Sequence, residues 1–86
     1  MLELNYKVSS KEGLHARPAA RLVKLVASFK GSVDITYKKT VNMKSMLLVL
    51  SLGIPNGAEF SITLDGENET EMAQRINEAL VEENLI

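Results

Sequence analysis

The segment LELNYKVSSKEGLHARPAARLVKLVASFKG, residues 2–31, places a β-strand pattern directly before an α-helix pattern. Apolar and polar residues alternate from Leu2 to Val8, which predicts a strand with one buried face. The next five residues, SSKEG, have the composition of a loop. Pro18 is typical of the first turn of a helix, where its missing N–H is not needed. The apolar spacing predicts that this helix runs from Ala16 to Ala27, with Gly31 as its stop signal.

Two short strands and one ambiguous segment come next. Alternation predicts strands at Ser32–Tyr37 and Thr40–Asn42, joined by a tight turn at the two lysines between them. The apolar run Met46–Leu52 fits either a short helix or a buried strand, because periodicity does not distinguish them. Ser45 before the run and Gly53 after it are typical helix caps, so they favour the helix.

The last part of the chain again has a strand pattern followed by a helix pattern. Alternation from Glu59 to Leu64 predicts a strand, which Asp65-Gly66 closes. Asn68 and Glu71 have the spacing of a capping box for a final helix that ends near Glu83. The order β-α-β-β-α-β-α, without linker or repeat, predicts a single domain over residues 1–86. Its class is α+β, an open-faced sandwich in which three helices cover one face of a four-stranded antiparallel sheet.

The composition of the chain excludes several kinds of site. The 86 residues include no Cys, which excludes disulfides, thiol nucleophiles and Cys-ligated metals. The single His excludes two-histidine zinc motifs, and we expect neither a metal nor another cofactor. The longest nearly apolar stretch is well short of the ~20 residues of a membrane span. The N-terminus has no hydrophobic signal core, so we expect a cytoplasmic protein without membrane insertion.

Charge is distributed unevenly along the chain, although the net charge is only −1. Residues 1–57 contain nine basic and three acidic side chains, whereas residues 58–86 contain one basic and eight acidic ones. The basic part suits an anionic partner. An acidic protein surface is favoured over nucleic acid, since nucleic-acid-binding domains are usually basic overall. The strands also lack the closely spaced aromatic residues that stack bases.

The only histidine, His15, lies in the sequence GLHARP beside the predicted start of the first helix. Unpaired N–H groups and the helix dipole make such a terminus attractive to an anion. Arg17, Arg21 and Lys24 recur at helical spacing as one basic stripe, and a guanidinium suits phosphate. A neutral imidazole is a good nucleophile near pH 7. These residues indicate either a histidine that accepts a phosphoryl group or a histidine without a chemical role on a surface that binds anions or proteins. The second interpretation is favoured at this point, because most single histidines near the start of a helix have no chemical role.

Two motifs resemble one family. Residues 13–20, GLHARPAA, resemble the active-site motif of the histidine-containing phosphocarrier (HPr) family of the bacterial sugar phosphotransferase system. Residues 44–54, KSMLLVLSLGI, resemble the regulatory serine region of that family. The correspondence covers essentially the whole chain. It implies a phosphoryl carrier, not an enzyme, which receives phosphate from the phosphoenolpyruvate-dependent first enzyme and passes it to sugar-specific transport components.

The resemblance also implies a role for individual residues. His15 would carry the phosphate, Arg17 would neutralise it, and the backbone amides of Ala16 and Arg17 would complete the phosphate cradle. Ser45, also the expected helix cap, corresponds to the target of a regulatory serine kinase, and the matching phosphatase and a transcription regulator are further possible partners. Part of the apolar run is expected to be exposed as a docking surface. The predicted docking residues are Arg21, Lys24, Met46, Leu47 and Leu50.

Two function classes stay open at this point. The first is the phosphoryl carrier, for which a monomer suffices. The second is a mainly regulatory binding module that acts through Ser45 on a transcription regulator. The presence of His15 favours the carrier, because a purely regulatory relative has no need of the reactive group.

Three features depart from the usual pattern of the family. Glu12 stands where the family more often has a small polar residue, and a carboxylate there would repel a phosphoryl group. Leu48 stands where many members have Gly or Lys, which makes the expected docking helix more apolar. The turn at Lys38-Lys39 is one residue shorter than is common.

Overall fold

The computed structural model describes all residues, 1–86, and its elements have the predicted order and types. The strands are β1 (Leu2–Lys7), β2 (Gly31–Tyr37), β3 (Lys39–Asn42) and β4 (Glu59–Gly66), and the helices are α1 (Ala16–Val26), α2 (Met46–Ser51) and α3 (Glu69–Glu82). The sheet has the strand order β1-β4-β2-β3, and every neighbouring pair is antiparallel. The predicted open antiparallel sheet with three helices is confirmed.

The core lies between one face of this sheet and the helices. Alternate residues of the two central strands are buried, which is the period expected of a strand with one covered face. These residues are Val33 and Ile35 of β2 and Phe60, Ile62 and Leu64 of β4. Helix α3 buries a stripe that includes Met72, Ile76, Ala79 and Leu80. No polar or charged residue is buried, so apolar packing alone makes the core.

Gly31 and Gly66, which the sequence predicts to end a helix and a strand, are both strand residues. Helix α1 ends at Val26, and Gly31 is the first residue of β2. Gly66 is the last residue of β4 and pairs with Gly31. A Cβ on Gly31 would lie 2.3 Å from the carbonyl oxygen of Asp65, so glycine is needed for this close approach of the strands. The β2–β3 turn is also tighter than predicted, because Lys38 alone links two paired residues.

The start of α2 agrees with the sequence prediction, whereas the start of α3 does not. Ser45 is the N-cap of α2, and its Oγ accepts a hydrogen bond from the N–H of Leu48 at 3.3 Å. Asn68 caps α3 through its backbone only, with a positive φ of 61° and no side-chain capping bond. Glu71 accepts a hydrogen bond from Arg75 at 2.9 Å, one helical turn later. The predicted capping box is therefore wrong.

Glu69 supplies the side-chain contact at this end of α3. Its carboxylate accepts a hydrogen bond from the N–H of Gly66 at 3.2 Å and lies 3.2 Å from the terminal ammonium of Met1. The hydrogen bond from Gly66, with a smaller effect of the terminal ammonium, lowers the pKa of Glu69. The contact ties the N-terminus of the chain to α3.

Candidate functional site

His15 is the residue immediately before α1 and serves as its N-cap. Its backbone is extended, with φ −93° and ψ −176°, and its carbonyl accepts the first helical hydrogen bond from Ala19 at 3.1 Å. The side chain makes no capping bond and is 38% exposed. The imidazole therefore lies at the positive end of the helix dipole with access to solvent.

The loop before His15 is held in place by its last glycine. Gly13 has a positive φ of 69°, and a Cβ added to it would lie 2.3 Å from the carbonyl oxygen of Ile54. The N–H of Leu14 donates to that same oxygen at 2.9 Å, and the Leu14 side chain is buried. These contacts fix the loop against the segment that follows α2, so they also fix the position of His15.

Both ring nitrogens of His15 lie against an oxygen atom. Nδ1 is 3.1 Å from the carbonyl oxygen of Gly13. A carbonyl oxygen only accepts, so Nδ1 is the donor in this contact. Nε2 is 3.2 Å from Oε2 of Glu12, an ion pair when the ring is protonated. One of the two contacts has to open before a ring nitrogen can attack an incoming group.

The first turn of α1 offers backbone donors for an anion. The N–H groups of Ala16 and Arg17 have no hydrogen-bond partner in the structure, as expected for the first residues of a helix. The chain thus places two unpaired donors directly after its only histidine. An anion attached to the ring would find both donors and the helix dipole beside it.

The basic stripe of α1 is partly neutralised by the end of α3. Nε of Arg17 lies 3.3 Å from Glu83, although the Arg17 side chain remains 82% exposed. Arg21 contacts both Glu82 and Glu83. The hydrogen bond with Glu82, and then the one with Glu83, raises the pKa of Arg21 above its ordinary value. The basic first part and the acidic last part of the chain therefore meet inside one molecule.

Helix α2 exposes three leucines next to α1. Leu47 is 79% exposed, Leu48 41% and Leu50 38%. Met46 is half-buried and packs against the core, so it is less accessible than a docking residue is expected to be. Leu48 was not among the predicted docking residues. Helix α2, which carries these leucines, packs on α1, the helix that begins directly after His15.

Ser45 is half-buried at the start of this same helix. Its neighbour Lys44 donates to the carbonyl oxygens of Phe29 at 2.7 Å and Gly31 at 3.1 Å. The lysine therefore fastens α2 to the start of β2. Nothing in the local sequence pattern indicates this contact, because its partners lie 13 and 15 residues away.

Known proteins share the sequence pattern and the fold of this chain. The pattern described as "PTS HPr component phosphorylation site" matches residues 2–82. The histidine-containing phosphocarrier protein of Mycoplasma is 31% identical with a TM-score of 0.94, and the match covers 99% of this chain and 98% of that one. The phosphocarrier HPr of Bacillus anthracis is 34% identical with a TM-score of 0.81, over 91% and 94% of the two chains.

A catabolite repression protein, Crh of Bacillus subtilis, is also similar. It is 32% identical with a TM-score of 0.71, and the match covers 100% of this chain and 99% of that one. Its structure is a domain-swapped dimer. None of the helices of the present chain is both long and apolar enough to cross a membrane.

Proposed function

Since this chain belongs to the PTS HPr family, whose members are phosphocarrier proteins and not enzymes, we propose that it carries phosphoryl groups on His15 within the sugar phosphotransferase system. The phosphoenolpyruvate-dependent first enzyme is the donor, and sugar-specific transport components are the acceptors. The observation that carries the proposal is the position of the chain's only histidine, partly exposed and followed by two unpaired N–H donors at the start of α1.

The transfer replaces one bond to phosphorus by another. The lone pair of a His15 ring nitrogen forms an N–P bond while the bond between phosphorus and the donor breaks, and the donor keeps that electron pair. The amides of Ala16 and Arg17 hydrogen-bond to the phosphoryl oxygens, and the exposed Arg17 guanidinium turns toward them. In the second transfer the acceptor attacks phosphorus and His15 leaves with its electron pair.

Docking of both partners uses the surface beside His15. It consists of Leu47, Leu48 and Leu50 of α2, with Met46 at its edge, and of the cations Arg21 and Lys24 of α1. Exposed leucines next to cations suit a partner that offers apolar side chains surrounded by carboxylates. Lys24, which is exposed and has no acidic partner within the molecule, is the more available of the two cations.

A phosphate relay tests the carrier function. The protein is incubated with labelled phosphoenolpyruvate, the first enzyme and a sugar-specific component, and the label on the sugar is counted. We expect sugar phosphate to form only when the protein is present. If an established HPr supports the relay in the same mixture and this protein does not, the carrier function is wrong.

Ser45 carries a second proposed function, which is regulation by a serine kinase and phosphatase and, through them, binding to a transcription regulator. Ser45 caps α2 beside the exposed leucines. A phosphate on its Oγ would add about −1.5 to −2 charges to the docking surface. This charge is tolerated at a helix N-terminus but would repel an acidic partner.

Mass measurement after incubation with ATP and such a kinase tests the role of Ser45. We expect one acid-stable phosphate on the wild type, none on Ser45→Ala, and slower uptake of phosphate by His15 in the modified protein. An unmodified wild type would contradict the regulatory role. Modification of Ser45 in a protein that never accepts phosphate on His15 would instead support a mainly regulatory module.

The proposed carrier works in the cytoplasm, because phosphoenolpyruvate, the source of its phosphoryl group, is a product of cytoplasmic metabolism. A monomer suffices for this function, since one accessible histidine makes each transfer. The dimer of the similar protein Crh makes the oligomeric state a property to measure in solution.

A further inference from the structure

We propose that Glu12 sets how readily His15 accepts and gives up its phosphoryl group, an inference that rests on the proposed carrier function. Glu12 lies in the loop before α1 and contacts the imidazole directly, with Oε2 3.2 Å from Nε2 of His15. It is the only acidic side chain within ion-pairing distance of the ring.

The loop holds the backbone of Glu12 in a defined position. Ser10 organises it: the Oγ of Ser10 accepts from the N–H of Glu12 at 3.3 Å, and its carbonyl accepts from the N–H of Gly13 at 3.1 Å. The side-chain amide of Asn56 donates to the same carbonyl at 2.9 Å. The left-handed Gly13 fixes the other side of Glu12. The carboxylate is therefore presented to the ring by a tethered loop, although the side chain itself is 72% exposed.

The Glu12 carboxylate stands where a phosphoryl group on His15 would need its counter-charges. It is an anion in contact with His15, the residue that directly precedes the unpaired amides of Ala16 and Arg17. The guanidinium of Arg17, two residues after His15 in the chain, is paired with Glu83, which follows α3. Before phosphorylation the ring thus has one anion next to it. After phosphorylation the same place contains two anions, the carboxylate and the phosphoryl group.

This crowding of charge acts on the phosphorylated state alone. Two like charges a few ångström apart repel each other, and the repulsion is relieved when the phosphoryl group leaves. In the unphosphorylated state the carboxylate meets no second anion, and it forms an ion pair with the ring when the ring is protonated. Glu12 therefore makes His15 a weaker acceptor toward the first enzyme and a stronger donor toward the sugar-specific components.

The equilibrium between the phosphorylated first enzyme and the protein tests this role. We expect Glu12→Gln, which keeps the size of the side chain, to raise the equilibrium constant for phosphorylation of His15 about 3- to 10-fold at low salt, from the interaction of one carboxylate with a phosphoryl group ~6 Å away in a near-aqueous medium. The effect should shrink toward the wild-type value at about 1 M salt, where the Debye length is only about 3 Å. Glu12→Asp keeps the charge and should remain close to wild type.

Glu78→Gln is the matched control. Glu78 is an exposed glutamate of α3 without an ion-pair partner, so the variant has the same change of net charge without a change in the loop. An equilibrium constant for Glu12→Gln that equals that of the wild type or of Glu78→Gln would overturn the proposal, as would a difference that salt does not reduce. Failure of all variants and the wild type to take phosphate would overturn the carrier function itself.

Discussion

Replacing His15 by glutamine is expected to reduce phosphate uptake from the first enzyme to background while the protein stays folded. The chain has no second histidine and no cysteine, so no other imidazole or thiol can replace the missing nucleophile. The ring makes no capping bond and is partly exposed. Its contact with the carbonyl of Gly13 is worth only about 1 kcal/mol. The variant should therefore lose phosphate uptake because the nucleophile is missing, and not because the protein unfolds.

Two measurements separate these effects. Uptake of labelled phosphate from phosphoenolpyruvate and the first enzyme gives the chemical loss. Thermal unfolding of the wild type and His15→Gln reports stability, and the two transitions should lie close together. Phosphate uptake by His15→Gln at the wild-type rate would show that another residue accepts the phosphoryl group.

Gly13→Val is expected to have the largest effect on stability among the site variants. Valine is strained at the φ of 69°, and its Cβ would lie 2.3 Å from the Ile54 carbonyl oxygen and 2.9 Å from Cα of Pro55. These are backbone atoms, which cannot rotate away as the end of a side chain can. The left-handed conformation costs roughly 1–2 kcal/mol and the overlap roughly 1–3 kcal/mol more. The sum is a large share of the free energy of unfolding of a small domain, which is about 5–15 kcal/mol.

The control for this prediction is Gly53→Val. Gly53 also has a positive φ, of 58°, but a Cβ there meets no atom within 4 Å. Urea unfolding of both variants thus separates conformational strain from overlap with Ile54. Gly13→Val should unfold at clearly lower urea than Gly53→Val. Equal midpoints would mean that the loop before His15 moves freely away from the segment after α2.

Much of the fold is predictable because its signals are local. The alternation in β1 and β4, Pro18 in the first turn of α1 and Ser45 before α2 each determine their element through neighbouring residues. The same holds for the candidate site, where His15 and the first amides of α1 are adjacent in the chain. A short motif and the start of a helix were enough to predict that they lie together.

Pairings between distant residues could not be predicted in this way. Arg17 and Glu83 are in contact only because α1 packs against α3. The fit of Gly13 against Ile54 depends on the position of the segment after α2. The motif at residues 13–20 contains Gly13 and Arg17, but neither Ile54 nor Glu83. The structure therefore adds to the site the ion pairs of Arg17 and Arg21 with the end of α3 and the tethered loop.

One local prediction was wrong for a physical reason, and a second residue is less accessible than expected. Glu71 had the right spacing for a capping box, but Arg75 lies one turn away and takes its carboxylate, while Asn68 adopts a left-handed backbone. Met46, a predicted docking residue, is half-buried and packs against the core, whereas Leu48, which was not predicted, is exposed. A helix of 6 residues is too short for its apolar pattern to define which side is buried.

The most direct test of the central claim is the intact mass of the wild-type protein after incubation with phosphoenolpyruvate and the first enzyme. The account predicts a gain of a single phosphoryl group that is lost on brief acid treatment and is absent from His15→Gln. A phosphate that survives acid would place the modification on a hydroxyl group. No gain in mass, with a first enzyme that phosphorylates an established HPr, would contradict the role of His15 as the phosphoryl acceptor.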